Sequence, residues 1–531
     1  MIKPNNILDL ADRHKKEVKI ALVLISMLLM ALYGFYRVSF HMDMKYLDRG
    51  SIKAVYLIIC ALWAGSSVFL YFSLYRKKLE LHKIAAFIMP VLALFYFLAF
   101  TPNTVPDELY HFASAYKVSN LIMFVKQPAE VTMIPMRQSD IDFLRVLLPN
   151  SVNVKPYDFE QSFYIVQKSA DLFCKDASLG IYDSPSSIDN APLCFVASGV
   201  GVTIARILNL GPVYVYYMGQ LMNVIVTVVA FCLAIKITPV FKESFFVMGM
   251  LPMVLHEAAS YSYDPIVFSS AVLFAAIILK AIFGEGKLAV KYIVFMSILS
   301  AVIAPSKIVY FPLVFLAFFI PKEKIAFKHP MLIKCIIAGA GLLALGIIQV
   351  SRVLQYSTTT FEMNPGMENY SISWILDNPL KTVNIFMKSL LENGQFYLTT
   401  IVGSSLAWFQ VDIPMPVYMG FLVLLFISAL KQDKDAPSFK FSRKLITSVV
   451  LLASAMLVML SMFVASTWVG CETIVGVQGR YFLPLLPFVF WLIRNDRITI
   501  TPETGRNVIF ATNYIAFMYA GFCYLRLLYI I

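Results

Sequence analysis

Apolar runs of about 20 residues, each long enough to cross the hydrocarbon core of a bilayer, recur through most of this 531-residue sequence. Inside a membrane every backbone N–H and C=O has to be satisfied within the chain, so such runs fold as α-helices. Hydrophobic residues make up 59% of the chain and charged residues 14%. Mean hydropathy is +0.74, which excludes a soluble globular protein. The reading is an all-α polytopic membrane protein with about 13 transmembrane helices. The excess of 44 basic over 32 acidic residues, a net charge of +12, is a topology signal, and no basic tract with interleaved aromatics points to nucleic acid. Seven cysteines form no CxxC or Cys/His cluster, so neither structural zinc nor a disulfide framework is written in the sequence. Cys174 and Cys194 share one polar segment and could pair, although cysteines so placed are more often unlinked.

Basic residues orient the runs. Arg13, Lys15, Lys16 and Lys19 precede the first run, about 18 to 38, which is too long for a cleaved signal peptide and lacks its small-residue exit. Arg76, Lys77, Lys78 and Lys83 link the second run to the third and mark a cytoplasmic loop. The third run then delivers the chain outside at Thr101. Counting back from the C-terminus, the loop with Lys431, Lys434, Lys440, Arg443 and Lys444 is also cytoplasmic. The two counts meet only if an even number of crossings lies between 193 and 261, where three apolar runs are visible. The run at about 193 to 209, short and carrying Arg206, is therefore assigned as re-entrant or interfacial. The expected organisation is a two-span extension (1–82), a membrane core (83–495) with an external loop (101–192) and an external segment (352–413), and a C-terminal span (496–531). The loop is expected to hold juxtamembrane helices, and the segment to lie along the membrane surface.

Chemistry concentrates at the outer ends of separate spans. Asp107, Glu108 and His111 follow the third span directly; if Pro106 opens a helix, Asp107 and His111 share a face. Capping by Thr104 with acids in the first turn is the plain alternative. Lys307 and Arg480 lie on the side where basic residues should be scarce, with snorkelling as their ordinary explanation. Asp264 stands before Pro265, where helix capping would also account for it. Carboxylates, a lysine and an arginine flanked by glycines suit a lipid phosphate: a guanidinium holds the phosphate in a fork, and a carboxylate takes a proton from an attacking hydroxyl.

The segments Pro106-Asp-Glu-Leu-Tyr-His111, Ser260-Tyr-Ser-Tyr-Asp264, Ser306-Lys-Ile-Val-Tyr310, Gly403-Ser-Ser-Leu-Ala-Trp408 and Gly476-Val-Gln-Gly-Arg-Tyr-Phe-Leu-Pro484 occur in this order. In them the chain, over roughly residues 85 to 495, resembles the bacterial domain of unknown function 2142 family. The resemblance implies a fold similar to glycosyltransferases of the C-type (GT-C) membrane class, acting on polyprenyl-phosphate sugars. It implies Asp107 or Glu108 as the catalytic carboxylate, and the reading of the residues adds His111 as the group that would orient a carboxylate. Arg480, Lys307, Tyr310, Gln478, Tyr481 and Asp264 would hold the lipid phosphate and substrate. The two adjacent acids are the ligands to consider for magnesium or manganese, although such enzymes are divided on metal use. One departure stands out, because Gly219-Gln220 occupies the place where an arginine-rich pairing is expected.

The favoured expectation is thus an inverting membrane glycosyltransferase. It moves a sugar from a polyprenyl-phosphate donor to a cell-surface polysaccharide or teichoic-type acceptor, at the outer face of a bacterial cytoplasmic membrane. The alternative is a transporter or flippase of a lipid-linked or envelope glycan. That would ordinarily place charges near mid-bilayer on broken helices and often in repeated halves, and no repeat is evident in the sequence. A non-catalytic envelope scaffold is the third reading.

Overall fold

Proline lacks an N–H and fits the first turn of a helix, where that donor would be unpaired anyway. It opens many of the helices here, among them Pro212–Ile237, Pro252–Ala258, Pro379–Val402 and Pro502–Leu527. Side chains cap others: Asp48 accepts from the Ser51 amide at the start of Arg49–Tyr71, and Thr501 from the Thr504 amide. The computed structural model describes residues 15–40, 45–128, 130, 132–147, 158–184, 191–356, 368–432 and 437–528. Among them, 8 helices are long and apolar enough to cross a membrane. They lie at Ala21–Phe40, Arg49–Arg76, Leu81–Ala99, Pro212–Ile237, Asp264–Phe283, Pro330–Ser351, Phe441–Ser466 and Pro502–Leu527. Shorter apolar helices at Val290–Ser306, Ile308–Phe319, Met415–Ala429 and Gly479–Ile493 fill the intervals.

The run near 243 to 261, read from sequence as one span, is two helices, α1 (Lys242–Gly249) and α2 (Pro252–Ala258). The Pro252 ring and missing donor break the ladder at Met250 and Leu251. Every residue from Ser244 to Ala258 is buried, so the break is enclosed by protein, where irregular backbone at membrane depth is tolerated.

Contacts between connections sort the bundle into two ends. At one end Lys431 pairs with Asp496 at 2.8 Å, Leu288 bridges to Ile325, and Phe241 stacks on Phe439. Glu80, Lys83, Lys236 and Lys242 line one pocket there. At the other end gather the loops around Asp107, Tyr261, Lys307, Trp408 and Arg480. The helix Val196–Ile207 does not travel between the ends. Phe195, just before it, packs on His111, and Leu210, just after it, bridges to Phe173, both partners in the segment that follows the third span. Its Arg206 is satisfied there by Ser119 at 2.7 Å, Asn120 at 2.9 Å and the Tyr116 ring.

That segment is not purely helical. Met133–Arg137 and Leu179–Asp183 form an antiparallel ribbon, Pro135 opposite Ile181, and a second, two-residue ribbon pairs Ser405–Leu406 with Val411–Asp412. The helix Pro379–Val402 exposes Leu380, Val383, Met387 and Leu391 and buries Ile385, Phe386 and Ser389, the two-faced pattern of an interfacial helix. Residues 357–367 of the expected external segment lie outside the described residues. The first two spans are not a free extension. Trp63 meets Tyr514 of the last helix at 5.0 Å, and Asn513 donates to Ser66 and Ser67.

Candidate functional site

The loop after the third span turns sharply, with Asn103 and Asp107 both in the left-handed region, φ +69° and +64°, which Asn and Asp tolerate better than most residues. The helix Glu108–Ile122 therefore begins one residue after Asp107, not at Pro106 as the sequence suggested. Asp107 occupies the cap position without capping through its side chain. Its carboxylate is exposed and lies close enough to Lys307 and Tyr481 to act on both electrostatically.

Glu108 faces elsewhere. It is completely buried and accepts hydrogen bonds from Gln220 Nε2 at 2.8 Å, the Tyr261 amide at 3.2 Å and the Val105 amide at 3.3 Å. Burial pushes its carboxyl up to about 7, against the pull of those donors. The adjacent acids thus lie in different surroundings and do not fit a shared magnesium or manganese ion. Among the described residues no three His, Cys, Asp or Glu side chains converge as metal ligands. Gln220, noted as a departure in sequence, holds Glu108.

His111 is buried against Tyr263 and Phe195, ring centroids 5.2 and 5.7 Å away. Burial, then the charges of Arg480 and Lys307, lower it to about 3, so the imidazole is neutral. Its Nδ1 has no hydrogen-bond partner, and no hydrogen bond ties the ring to either acid, contrary to the carboxylate-orienting role read from sequence.

Arg480 is the second residue of a short 3₁₀ helix, Gly479–Leu485, and is buried. Close approach is enforced at Gly479, where a Cβ would lie 2.4 Å from the Ile401 amide nitrogen. The guanidinium meets Glu257 at 3.2 Å and Asp264 at 3.7 Å, so its charge is matched by two buried carboxylates. The expectation from sequence is that Arg480, with Lys307, meets the lipid phosphate; here its charge is already taken up by those two acids. Lys307 has no carboxylate within ion-pair distance among the described residues. It rests 3.5 Å from the centre of the Tyr481 ring and 4.9 Å from that of Tyr263, a cation–π position. Tyr310 donates to the Tyr481 carbonyl at 2.9 Å and fixes that ring's strand of chain.

A narrow cleft with room for about one water molecule lies beside Arg480, with Pro106, His256, Glu257, Ser405, Trp408 and Gln478 among its lining. Its roof is the tip of the Ser405–Asp412 ribbon, where Ala407, Trp408 and Phe409 take φ of +50°, +56° and +63° in succession. Each such residue costs about 1–2 kcal/mol, and segments so held concentrate at functional sites. Gly403, φ +93°, anchors the ribbon's base 3.1 Å from the Met253 amide nitrogen, judged by where its Cβ would stand.

Of the residues singled out from sequence, Asp107, His111, Lys307, Asp264, Gln478, Arg480 and Tyr481 converge with Tyr310 behind them, while Glu108 is turned away. Sequence reasoning missed Glu257 and His256. The signal was available: a His-Glu pair inside the apolar run Leu251-Pro-Met-Val-Leu-His-Glu-Ala-Ala259 is costly unless used.

Bundle and site together define a polytopic α-helical membrane protein with a charged cluster at the end of its helices remote from the basic loops. The family model described as predicted membrane protein (DUF2142) matches residues 89–489. The chain belongs to this family. No curated protein and no solved structure matches it.

Proposed function

We propose that this chain is a glycosyltransferase that moves a sugar from a polyprenyl-phosphate carrier to a hydroxyl of a cell-surface polysaccharide or teichoic-type polymer. The reading rests on one observation: Asp107 and Lys307, neither of them in an ion pair among the described residues, come from separate segments and interact electrostatically, with Asp264 and Glu257 also acting on the lysine, at the same end of the bundle. That end lies away from the basic loops and is extracytoplasmic by the positive-inside rule, in a bacterial cytoplasmic membrane. A lipid carrier brings its activated sugar to this depth, so no soluble nucleotide sugar is needed.

In the step itself the acceptor oxygen attacks the anomeric carbon as the bond from that carbon to the phosphate oxygen breaks. Asp107 receives the hydroxyl proton, the sugar inverts, and the carrier leaves as polyprenyl phosphate. Lys307 meets the charge that grows on the departing phosphate, and the Arg480 cluster keeps Tyr481 and the cleft wall in place. Removing one such charge-stabilising group from a preorganised site typically costs about 10²–10³ in rate. Comparative glycan analysis of cells carrying wild type, Asp107→Asn or Lys307→Gln tests this. Loss of one sugar in both variants, with protein still in the membrane, supports it; unchanged composition overturns it.

A specific observation favours the second reading, a transporter or flippase. The broken helix α1–α2 carries Glu257 in the interior, an arrangement transporters use at their binding sites. Reconstituted vesicles separate the two: translocation of a labelled lipid-linked glycan without any new glycosidic bond belongs to the transporter.

A further inference from the structure

The basic end of the bundle, cytoplasmic by the positive-inside rule, holds a recess that takes no part in the step above. Two membrane-crossing helices end beside it. His82 and Lys83 belong to the first turn of Leu81–Ala99, and Ile235 and Lys236 to the last turn of Pro212–Ile237. Lys242 opens α1. Together with Glu80 and Leu81 these residues line a space of about 480 Å³. Because one helix starts its crossing here and the other finishes, the recess lies at the boundary of hydrocarbon and water, at the depth of the phospholipid head groups.

Its charge is unbalanced. Among the described residues of the lining Glu80 is the only acid, and it pairs with Lys83 at 2.9 Å. Lys236 and Lys242 have no carboxylate within ion-pair distance among the described residues. Both act electrostatically on His82, and Lys242 acts on Glu80 only after Lys83 and His82. Glu243, the residue after Lys242, acts on Arg494. A preference of basic residues for the cytoplasmic side accounts for their number. It does not require three lysines from separate stretches of chain to share one recess, where like charges repel. The apolar part of the lining comes from Leu81, half-buried, and Ile235, buried.

A phosphate at this depth is the counter-ion that Lys236 and Lys242 lack, and the glycerol and first methylenes of its lipid match Leu81 and Ile235. Soluble phosphate would leave the apolar surface unused, and a zwitterionic head group brings its own cation. We infer that this recess binds the head group of an anionic phospholipid of the inner leaflet, its phosphate held by Lys236 and Lys242 with Lys83 beside them. The lipid joins three segments that no ion pair links among the described residues: the start of the third span, the end of Pro212–Ile237, and α1, which leads into the break before Glu257. The site stands whatever the chemistry at the opposite end of the bundle.

The test uses the full chain purified in a nonionic detergent. Phosphatidylglycerol and phosphatidylcholine are titrated and read by native mass spectrometry, with thermal unfolding in each lipid and in inorganic phosphate. Wild type should prefer phosphatidylglycerol and unfold at a higher temperature with it. Each lysine near an anionic head group is worth about a factor of five, so Lys236→Gln with Lys242→Gln should weaken phosphatidylglycerol about thirtyfold. Lys322→Gln with Lys328→Gln removes the same charge from exposed positions of the basic end outside the recess and should weaken it no more than about twofold. Phosphatidylglycerol with a diazirine in its head group should label 79–84 or 235–243 of wild type, a result independent of whether any variant folds. Equal affinity for the two lipids, equal loss in the two double variants, labelling elsewhere, or the same stabilisation by inorganic phosphate would each overturn the site.

Discussion

Glu108 sits where an ionised carboxylate is poorly solvated, and its burial has a measurable consequence for stability. Its proton affinity is raised from the ordinary 4.5 to about 7 in the folded chain. Between those values the folded state therefore holds a proton that the unfolded state has released. Stability from this group is fully present below about pH 4.5 and is lost as pH rises through about 7. The gap corresponds to about 3 kcal/mol. For a chain of this size, with unfolding entropy scaled per residue, that is about 3 °C in Tm. Glu108→Gln keeps the shape and an acceptor for Gln220 and the Tyr261 amide but cannot titrate. The measurement is thermal unfolding of purified wild type and Glu108→Gln from pH 4.5 to 8.5. The difference in Tm, variant minus wild type, should climb by about 3 °C across that range and level off above pH 8. Taking the difference removes the titration of groups common to both chains. A difference that stays flat with pH would refute the assignment of Glu108 as a carboxyl protonated by its surroundings.

Arg480→Ala leaves Glu257 and Asp264 buried without their cation and should cost about 3–5 kcal/mol. Adding Glu257→Gln should restore part of this in thermal unfolding, and additive losses would deny the pairing. Asp107→Asn changes an exposed residue and should leave Tm within about 1 °C of wild type, whatever its effect on glycans; a large loss would give Asp107 a structural role. Gly219→Ala would place a methyl 2.0 Å from the buried Tyr261 hydroxyl, displacing the chain that donates to Glu108, and its membrane yield should fall sharply. His111 is held neutral by burial and then by Arg480 and Lys307, so stability gained above pH 6.5 is lost as pH falls toward about 3. His111→Gln should flatten that acid-side decline.

Helix placement was legible because hydropathy and loop charge act residue by residue. Arg206 told against a crossing by Val196–Ile207, and the loops at Lys83, Lys236 and Lys431 all lie at the basic end. What sequence could not supply was pairing between distant segments. Nothing near Arg480 says that Glu257, more than two hundred residues earlier, would take up its charge. Adjacent acids look alike on paper, yet the left-handed turn at Asp107 sends one outward and one inward. The break before Pro252 was visible as a proline but was absorbed into an apolar run, and Glu257 went with it. Membership of the family rested on short motifs whose neighbours in space no single sequence reveals.

The helix Ile308–Phe319 is wound as a 3₁₀ helix for 12 residues, long for a form with three residues per turn and about 2 Å rise per residue. Three-residue winding sets Tyr310, Leu313, Leu316 and Phe319 in single file, all buried, from the Tyr481 carbonyl at one end to the Trp491 ring at the other. One inserted residue would swing everything beyond it by about 120° and turn the file toward lipid, and three would restore the file but lengthen it by about 6 Å. The number of residues between Lys307 and Lys322 is therefore as tightly fixed as their identity, and natural variation along this stretch should consist of replacements, never of gains or losses.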